Sequence, residues 1–448
     1  EKGAIRAMLD RLSHSGSSEL LASSRANLGE DLTIGGVDVS RLAAFGDVQL
    51  PKVSFIVRNW NYGRYIGRTI DSIRAQDYPN FEVVIVDNAS TDESHEVIEK
   101  HVAADPRFRV VHSDVNLGPL GGALRGLELV TGDFVTFVDS DDTLLSNFAS
   151  VHIQAHLASR LNVAFTSSST LETGPDGAIV NGRRNTAGTR PEVTSAGLRP
   201  AEIVPRLRSI DDETYGVLHR NTRLLQPVPM EWPWSPGTAN MYRRFILTML
   251  APACQACDLP KLSADGHYNR LAHLLGGSMV IDLPLSTYRI HGDNFAASTP
   301  SLAHLGSDAG PATQYEPIRL RESIRVLVAN GADFSIRIGE KRYWNALAAF
   351  FQWGGVTRTR DLADWNRDQF FNEQVRHLAA TFGERRTLRK LAAFIPKPLL
   401  REGVEALHGG RWPVHAHLEL HLSATRRLHA RIKRAIGKRR RMRPSHVA

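Results

Sequence analysis

The chain has 448 residues, of which 42% are hydrophobic and 23% charged, and this composition predicts a globular protein of two or three domains and excludes a disordered chain. Ten Lys or Arg and no acidic residue lie in 420–448, and the rest of the chain has 45 basic against 47 acidic residues, so the net charge of +8 belongs to a tail. No apolar run approaches the roughly 18 residues of a membrane span. The two cysteines, Cys254 and Cys257, are expected to be reduced thiols of a cytoplasmic protein. The alternatives are a redox pair and half of a zinc site.

A regular alternation of strand and helix patterns begins after residue 50. Residues 1–50 carry only weak helical periodicity and are predicted to form an N-terminal accessory segment. Beyond them, short apolar runs alternate with stretches of helical spacing such as Ile66, Ile70 and Ile73. This order is typical of an α/β fold, in which right-handed crossovers join parallel strands. The predicted strands are 53–57, 81–86, 109–112 and 134–138.

Polar residues follow these strands at the place where parallel sheets bind ligands, just beyond the carboxyl ends. Asn59 and Trp60 follow the first strand, Asp87 follows the second, and Asp139 and Asp141 follow the fourth. Since residues two apart on a strand share a face, the last two carboxylates can converge on a divalent metal that carries phosphate oxygens. The alternative is an Asp-rich turn without a ligand.

The usual phosphate-binding loops are missing from the sequence. Neither Gly-x-Gly-x-x-Gly nor Gly-Lys-Ser/Thr follows the first strand, which counts against dinucleotide-binding and P-loop proteins. A nucleotide would instead be held by an aromatic ring, a carboxylate and a metal. Trp60 can stack on a base, and Asp87 can accept a hydrogen bond from a pyrimidine ring N–H. The alternatives are a core tryptophan and a capping or turn aspartate.

Four motifs follow one another along the predicted strands and their ends. They are Val-Ser-Phe-Ile-Val-Arg-Asn-Trp-Asn at 53–61, Asp-Asn-Ala-Ser-Thr-Asp at 87–92, Asn-Leu-Gly at 116–118 and Asp-Ser-Asp-Asp at 139–142. In their order and spacing these motifs together resemble glycosyltransferase family 2. The resemblance implies a GT-A fold, with a mainly parallel twisted sheet flanked by helices, and a nucleoside-diphosphate-sugar donor. It also implies a divalent metal, Mn²⁺ or Mg²⁺, and inversion of configuration at the anomeric carbon.

The resemblance also implies roles for single residues. Trp60 stands where the family packs a tyrosine on the base, and Asp87 stands where an aspartate binds uracil. Asp139 and Asp141 match the Asp-x-Asp motif that faces the ribose and the metal-bound pyrophosphate. The remaining residues of these motifs that we expect to contact the nucleotide are Asn59 and Asn116.

The chain departs from the family pattern at two places near the nucleotide. Arg58 stands where the family usually has proline, and Gly-Ala-Leu at 122–124 replaces the frequent Ala-Arg-Asn. A basic contact to the nucleotide is therefore missing from its usual position. UDP remains the favoured nucleotide, but a nucleotide-sugar donor in general is better supported than UDP itself.

Transfer with inversion requires a carboxylate that takes the proton from the acceptor hydroxyl, while the metal offsets charge on the leaving group. Asp265 opens an amphipathic helix in a segment that resembles the one carrying the family's catalytic aspartate, although Ala264 precedes it instead of an acidic residue. The alternative for Asp265 is helix capping. His267 is a second candidate base, for which the alternative is a solvated surface histidine.

Two further segments are predicted to contact ligands. Residues 288–294 resemble the Tyr-Arg-x-His-Gly-x-Asn ending of many family members, so Arg289 and His291 are candidates for the diphosphate, with His291 also a metal ligand. A structural turn is the alternative. Trp234 and Asn240 lie in a Trp- and Pro-rich stretch and are predicted to bind the acceptor, the alternative being a packed aromatic corner.

Past residue 300 the sequence predicts helices with a core of aromatic side chains. The predicted domains are an accessory segment at 1–50, a GT-A domain at 51–300, a helical domain at 301–419 and a basic tail at 420–448. The tail can bind an anionic membrane surface as an amphipathic helix or remain disordered. Nucleic acid is not an expected partner, because no recognition module accompanies the charge.

The residues and the resemblance together predict a metal-dependent inverting glycosyltransferase of cell-surface polysaccharide synthesis. Its acceptor would be a hydroxyl of a saccharide or of a lipid-linked saccharide. It would work in the cytoplasm, with the basic tail as the part that reaches the inner face of the plasma membrane. A catalytically inactive nucleotide- or sugar-binding scaffold is the main alternative, and a nucleotidyltransferase is disfavoured because its basic Gly-rich loop is absent.

Overall fold

The computed structural model contains two compact units that divide near residue 315. The predicted accessory segment, the two cysteines and the basic tail lie almost wholly outside the residues whose structure is described. The structure describes residues 33–34, 37–38, 50–103, 105–158, 162–184, 197–198, 222–229, 232–234, 236–252, 261–292, 294, 315–354 and 369–409.

The first unit is built on a sheet of ten strands, and a separate antiparallel pair is formed by β1 (Thr33–Ile34) and β2 (Val37–Asp38). The strands of the large sheet are β3 (Val53–Asn59), β4 (Phe81–Asp87), β5 (Phe108–His112), β6 (Phe134–Asp139), β7 (Phe165–Thr173), β8 (Ile179–Arg184), β9 (Gly197–Leu198), β10 (Thr222–Leu225), β11 (Asn240–Arg243) and β12 (Ser278–Arg289).

The sheet has a parallel half and a mixed half. Its order is β5-β4-β3-β6-β11-β7-β12-β10-β9, with β8 beside β7. The pairs β5–β4, β4–β3 and β3–β6 are parallel, whereas β11 is antiparallel to both of its neighbours and β12 is parallel to β7. The parallel half consists of the four predicted strands. Their nearly continuous apolar runs match a sheet that is covered on both faces.

Helices cover the first unit's sheet. On one face, Phe55 and Val57 belong to a buried cluster with Ile66, Ile70 and Ile73, the residues whose helical spacing predicted the first crossover helix. A 3-10 turn, Gly237–Ala239, precedes β11. The helices are α1 (Gly63–Arg74), α2 (Ser94–Val102), α3 (Gly118–Leu127), α4 (Phe148–Ala158), α5 (Arg244–Met249) and α6 (Ala264–Gly276).

The ends of β3, β4 and β6 place polar side chains on opposite faces of the sheet. Side chains alternate along a strand, so Arg58 and Asn59, the last two residues of β3, point in opposite directions. The register pairs Arg58 with Asp139 of β6 and Asn59 with Asp87 of β4. Two groups of polar residues are thus separated by the backbone of a single strand end.

The second unit is helical, as predicted for the region after residue 300. Its aromatic residues form a core: Phe350, Phe351, Phe370 and Phe371 are buried, and the rings of Phe351 and Phe371 meet edge to face at 5.9 Å. The helices are α7 (Glu316–Ala329), α8 (Gly331–Arg337), α9 (Glu340–Trp353), α10 (Phe370–Phe382), α11 (Glu384–Leu391) and α12 (Lys397–His408).

The predicted fold class is confirmed: a sheet with a parallel half, flanking helices and a helical C-terminal region. The predicted strand ends were slightly short, since β3 continues to Asn59 and β6 to Asp139. Within the described ranges, no helix has the length and apolar character needed to cross a membrane.

Candidate active site

Asparagine side chains tie the end of β4 to the loop before α3. Asn88 Nδ2 donates to Asn116 Oδ1 at 2.9 Å, and Asn88 Oδ1 accepts from the N–H of Leu117 at 2.9 Å. Asn116 Oδ1 also accepts from the N–H of Gly118 at 2.8 Å. Asn88 was not predicted, although its position directly after Asp87 at a buried strand end was a usable signal. We refer to Asn59, Asp87, Asn88 and Asn116 as the amide cluster.

Asp87 is buried, and its two carboxylate oxygens have different surroundings. Oδ1 accepts hydrogen bonds from Asn59 Nδ2 at 3.1 Å and from Ser90 Oγ at 2.5 Å. Among the described residues, the hydrogen-bonding contact of Oδ2 is with the imidazole of His112, with Nδ1 at 3.5 Å. Asp92 Oδ1, not Asp87, accepts from the N–H of Ser94, the first residue of α2, at 3.1 Å, so Asp87 is not a helix cap. Its Oδ2 has the fewer protein contacts and can accept a hydrogen bond from a ligand.

Trp60 lies at the sheet edge beside the amide cluster. Its side chain is 51% exposed, so the core-tryptophan alternative is wrong and a ring face is open to solvent. The adjoining turns hold two non-glycine residues in the left-handed region, Asn61 with φ 57° and Ala89 with φ 63°. Such conformations persist where surrounding contacts fix them. Here Asn61 Oδ1 accepts from the N–H of Thr91 at 2.7 Å.

The second group of polar residues contains acidic side chains and one arginine. We refer to Arg58, Asp139, Asp141 and Asp265 as the carboxylate cluster. Arg58 Nη2 donates to Asp139 Oδ1, and Nη1 donates to the carbonyl of Pro119 at 3.4 Å. Asp139 was predicted as a metal ligand, but in the structure an arginine occupies one of its oxygens.

Protein atoms surround Asp139 closely, although its side chain keeps 40% of its surface exposed. Burial raises its pKa to about 6, the carboxylates of Asp141 and Asp265 act in the same direction, and Arg58 opposes them. The three acidic groups therefore act on one another through space. A cluster of this kind attracts cations.

Asp141 and His291 are brought into contact, as predicted for a metal site. Asp141 Oδ2 lies 3.1 Å from His291 Nε2 and 3.3 Å from Asn294 Nδ2, and both Asp141 and His291 are buried. Among the residues that the structure describes, no three His, Cys, Asp or Glu converge to hold an ion. Mg²⁺ is commonly held by one or two carboxylates together with substrate phosphates. One carboxylate and one imidazole fit a metal whose remaining ligands come from a diphosphate.

Asp142, the third carboxylate of the motif, braces the fold. Its Oδ2 accepts from Thr238 Oγ1 at 2.6 Å, and its Oδ1 accepts from the N–H of Arg289 at 3.0 Å. Burial holds its pKa well above the ordinary value, with Asp141 and Asp139 adding to the effect. The side chain ties the end of β6 to the 3-10 turn and to β12.

Asp265 is not needed to cap its helix. The Ncap of α6 is Ser263, whose Oγ accepts from the N–H of Gly266 at 3.2 Å. A methyl group built on Gly237 would lie 3.7 Å from Asp265 Cγ and 3.8 Å from Arg58 Nη2. Asp265 and Arg58 therefore approach the same glycine from two directions, which brings the candidate base to the carboxylate cluster.

His267 is not a solvated surface residue, and that interpretation was wrong. The side chain is 1% exposed and its Nε2 lies 2.8 Å from the carbonyl of Leu250. Burial lowers its pKa to about 4, so the imidazole is neutral at pH 7. It anchors α6 to the end of α5.

Arg289 is also held by the protein itself. Its Nε donates to the carbonyl of Asp141 at 2.8 Å and its Nη1 donates to the carbonyl of Pro175 at 3.1 Å. The guanidinium is stacked over Tyr65 and the residue is 3% exposed. Arg289 was predicted either to contact the diphosphate or to form part of a structural turn, and these contacts fit the structural turn.

The predicted acceptor residues Trp234 and Asn240 lie in the core, which contradicts that prediction. The indole N–H of Trp234 donates to Ser278 Oγ at 2.8 Å, and the ring packs against Phe165. Asn240 is fully buried and donates to the carbonyl of Pro236 at 3.2 Å. The packed aromatic corner is the correct interpretation of this stretch.

Part of the chain matches a family of known proteins. Residues 54–177 match the family model described as glycosyl transferase family 2. An uncharacterized glycosyltransferase of Nostoc sp. is 27% identical over 290 residues, which cover 64% of this chain and 77% of that protein. The family match at 54–177 includes β4, β5 and β6 and all of β3 except Val53, together with Asp87, Asp139 and Asp141.

Other similar proteins match over shorter stretches or with lower similarity. The GalNAc(5)-diNAcBac-PP-undecaprenol beta-1,3-glucosyltransferase of Campylobacter jejuni is 34% identical over 106 residues, 23% of this chain and about a third (34%) of that protein. Among solved structures, TarS of S. aureus aligns with a TM-score of 0.45 and 17% identity, covering 80% of this chain and 53% of TarS.

Proposed function

The chain belongs to glycosyltransferase family 2 through residues 54–177, and from this premise we propose that it is a metal-dependent, inverting enzyme that uses a nucleoside-diphosphate sugar. The sugar would pass to a hydroxyl of a saccharide or of a lipid-linked acceptor. The observation that carries the proposal is that the amide and carboxylate clusters lie next to one another, on either side of the end of β3 and at the ends of β4 and β6. The amide cluster suits the nucleoside of the donor, and the carboxylate cluster suits its diphosphate and the reacting carbon.

The amide cluster provides the nucleoside end of the donor site. Trp60 offers an exposed ring for stacking on a base, and Asp87 keeps Oδ2 for an N–H donor while Oδ1 is held by Asn59 and Ser90. Uracil has such a donor: its ring N–H, next to carbonyl groups, can donate a hydrogen bond to the Asp87 carboxylate. UDP is therefore the favoured nucleotide.

The carboxylate cluster provides the diphosphate end. Asp141 and His291 would hold Mn²⁺ or Mg²⁺ together with oxygens of the donor, and the metal would neutralise charge on the departing diphosphate. Asp139, at the end of β6, is close enough to Asp141 and Asp265 for both carboxylates to act on it. These side chains would orient the diphosphate relative to the acceptor.

Asp265 would act as the general base. The acceptor hydroxyl oxygen forms a bond to the anomeric carbon on the face opposite the diphosphate, and the carbon–oxygen bond to the diphosphate breaks. The hydroxyl proton passes to the Asp265 carboxylate. Because Ser263 supplies the helix cap, Asp265 remains available for this role, and attack from the opposite face inverts the configuration.

The acceptor class is inferred from the sequence relatives. The Campylobacter jejuni relative carries in its name a saccharide linked to PP-undecaprenol as the acceptor. By analogy we propose a saccharide or lipid-linked acceptor in polysaccharide synthesis, reached from the cytoplasm at the inner face of the membrane. The ten basic residues of 420–448 would favour an anionic membrane surface.

A donor panel tests the proposal. The chain is incubated with UDP-, GDP-, CDP- and ADP-sugars, with and without Mn²⁺ or Mg²⁺, and release of the nucleoside diphosphate is followed. We expect metal-dependent release from one class of donor, and UDP-sugars in the first place. Binding of a nucleoside diphosphate without release from any donor would favour an inactive binding scaffold instead.

A further inference from the structure

We propose that Arg58, at the end of β3, binds the diphosphate of the donor and supplies the basic contact that α3 lacks. The inference rests on the proposed function and names a phosphate-binding residue within that site. Residues 118–124, the first part of α3, contain no basic side chain. The first basic residue of α3 is Arg125, whose side chain is half-exposed. Its Nη1 lies 3.0 Å from Glu128 Oε2.

The position of Arg58 is fixed by the sheet. The register places Arg58 directly beside Asp139 on the neighbouring parallel strand, so both side chains extend from the same face. Only 9% of the Arg58 side chain is exposed. An arginine held this way has already lost much of its conformational freedom, so a bound phosphate would cost little further ordering.

Glycine on α3 leaves room for the Arg58 side chain. A methyl group built on Gly122 would lie 3.9 Å from Arg58 Cγ and 3.7 Å from Asn88 Nδ2. A methyl group alone would be in ordinary contact, but a longer side chain at 122 would compete with Arg58 for this space. The absence of a side chain at Gly122 on α3 therefore leaves space for the Arg58 side chain on β3.

The hydrogen bonds of Arg58 leave capacity for a ligand. The guanidinium donates to Asp139 Oδ1 and to the carbonyl of Pro119, fewer bonds than its N–H donors allow. Among the residues that the structure describes, its buried Nε has no hydrogen-bond partner. A planar guanidinium matches the oxygens of a phosphate in a bidentate way, and a small rotation would exchange these donors between Asp139 and a phosphate.

The charge of the site requires such a group. Asp139, Asp141 and Asp265 lie in one cluster, and a diphosphate would add further negative charge. A metal on Asp141 and His291 offsets part of that charge. Arg58 is in direct contact with Asp139, and a methyl group built on Gly237 would lie 3.8 Å from its Nη2 and 3.7 Å from Asp265 Cγ. Its guanidinium is thus near both carboxylates.

The test compares UDP with uridine, which lacks the phosphates. Affinities of the full-length chain for both are measured by calorimetry in the presence of Mn²⁺, for wild type, Arg58→Met and Arg58→Lys. We expect Arg58→Met to weaken UDP binding by about tenfold or more, the usual effect of losing a charged hydrogen bond, and to leave uridine binding unchanged. Arg58→Lys should weaken UDP binding less, because it keeps the charge but not the bidentate geometry.

Arg125→Met is the matched control, since it removes the same charge from the surface of α3 and should leave both affinities unchanged. Equal UDP affinity in wild type, Arg58→Met and Arg58→Lys would overturn the assignment. Arg58 would then have only a structural role, linking Asp139 to Pro119 by hydrogen bonds. Equal loss of UDP and uridine binding would overturn it too. A wild-type chain that binds none of UDP, GDP, CDP and ADP would instead contradict the proposed function itself.

Discussion

The amide cluster lies at the ends of β3 and β4 and the carboxylate cluster at the ends of β3 and β6, yet their interactions differ. In the amide cluster, Asn59 and Asn88 donate to Asp87 and Asn116, so the cluster is held by bonds among its own members. In the carboxylate cluster, three acidic residues accompany one arginine, and burial raises the pKa of Asp139 to about 6. The first cluster is therefore preformed, whereas we expect cations and a ligand to stabilise the second.

The largest expected effect is on the carboxylate cluster. Asp265→Asn should lower kcat by about 10²- to 10⁴-fold, the range for loss of a general base, with UDP affinity unchanged because the amide cluster is intact. Ser263→Ala is the matched control: it should lower the free energy of unfolding by about 1 kcal/mol and keep kcat within the same order of magnitude. Similar kcat losses in both variants would mean that Asp265 serves the helix end and not the reaction.

The helix that carries Asp265 should be sensitive to acid. The folded chain holds the pKa of His267 at about 4, whereas an ordinary histidine has 6.5. The unfolded chain therefore takes up a proton first, and stability present above pH 6.5 is lost as the pH falls toward 4, by up to roughly 3 kcal/mol. Denaturant unfolding at pH 7 and pH 4.5 should show a smaller loss in His267→Gln. An identical loss in both proteins would contradict the neutral, buried imidazole.

Metal binding should depend on the carboxylate cluster alone. Asp141→Asn is expected to weaken Mn²⁺ binding in the presence of UDP by about tenfold or more, because it removes the charged oxygen beside His291. Mn²⁺ titration followed by electron paramagnetic resonance gives the affinity. Asp87→Asn serves as the control: at UDP concentrations that saturate both variants it should leave Mn²⁺ affinity unchanged, and a loss under these conditions would show that the two clusters do not act separately.

The smallest expected effect is on the amide cluster. Asp87→Asn should weaken the binding of UDP and of uridine by the same factor, about tenfold, because the charged hydrogen-bond acceptor for the base is lost. Arg58→Met should affect UDP alone, so the two variants separate the nucleoside end from the diphosphate end. Calorimetric titration of both ligands provides the comparison. Unchanged uridine affinity in Asp87→Asn would place the base elsewhere.

The parallel half of the sheet was predictable because its signals are local. Apolar runs followed by Asp87 or by Asp139 and Asp141 mark strand ends, and parallel strands bring those ends to one edge. The helical spacing of Ile66, Ile70 and Ile73 was enough to place α1. Asp265 was placed at a helix start by the same kind of pattern.

Other parts of the site depend on contacts between distant segments. The partner of Arg58 lies 81 residues away on β6, and the partner of Asp142 on the 3-10 turn lies 96 residues away. Trp234 and His267 are polar-edged rings that suit either a surface or a core, and only packing decides which. Local periodicity carries no information on such pairings, so these residues were misassigned or left without a role.

A structure of the chain with UDP and Mn²⁺ tests the central claim most directly. We predict the base against Trp60 with its N–H facing Asp87 Oδ2, and the metal on Asp141 and His291. A diphosphate oxygen should lie within hydrogen-bonding distance of the Arg58 guanidinium. A nucleotide bound away from the ends of β3, β4 and β6, or a metal held by other residues, would contradict the account.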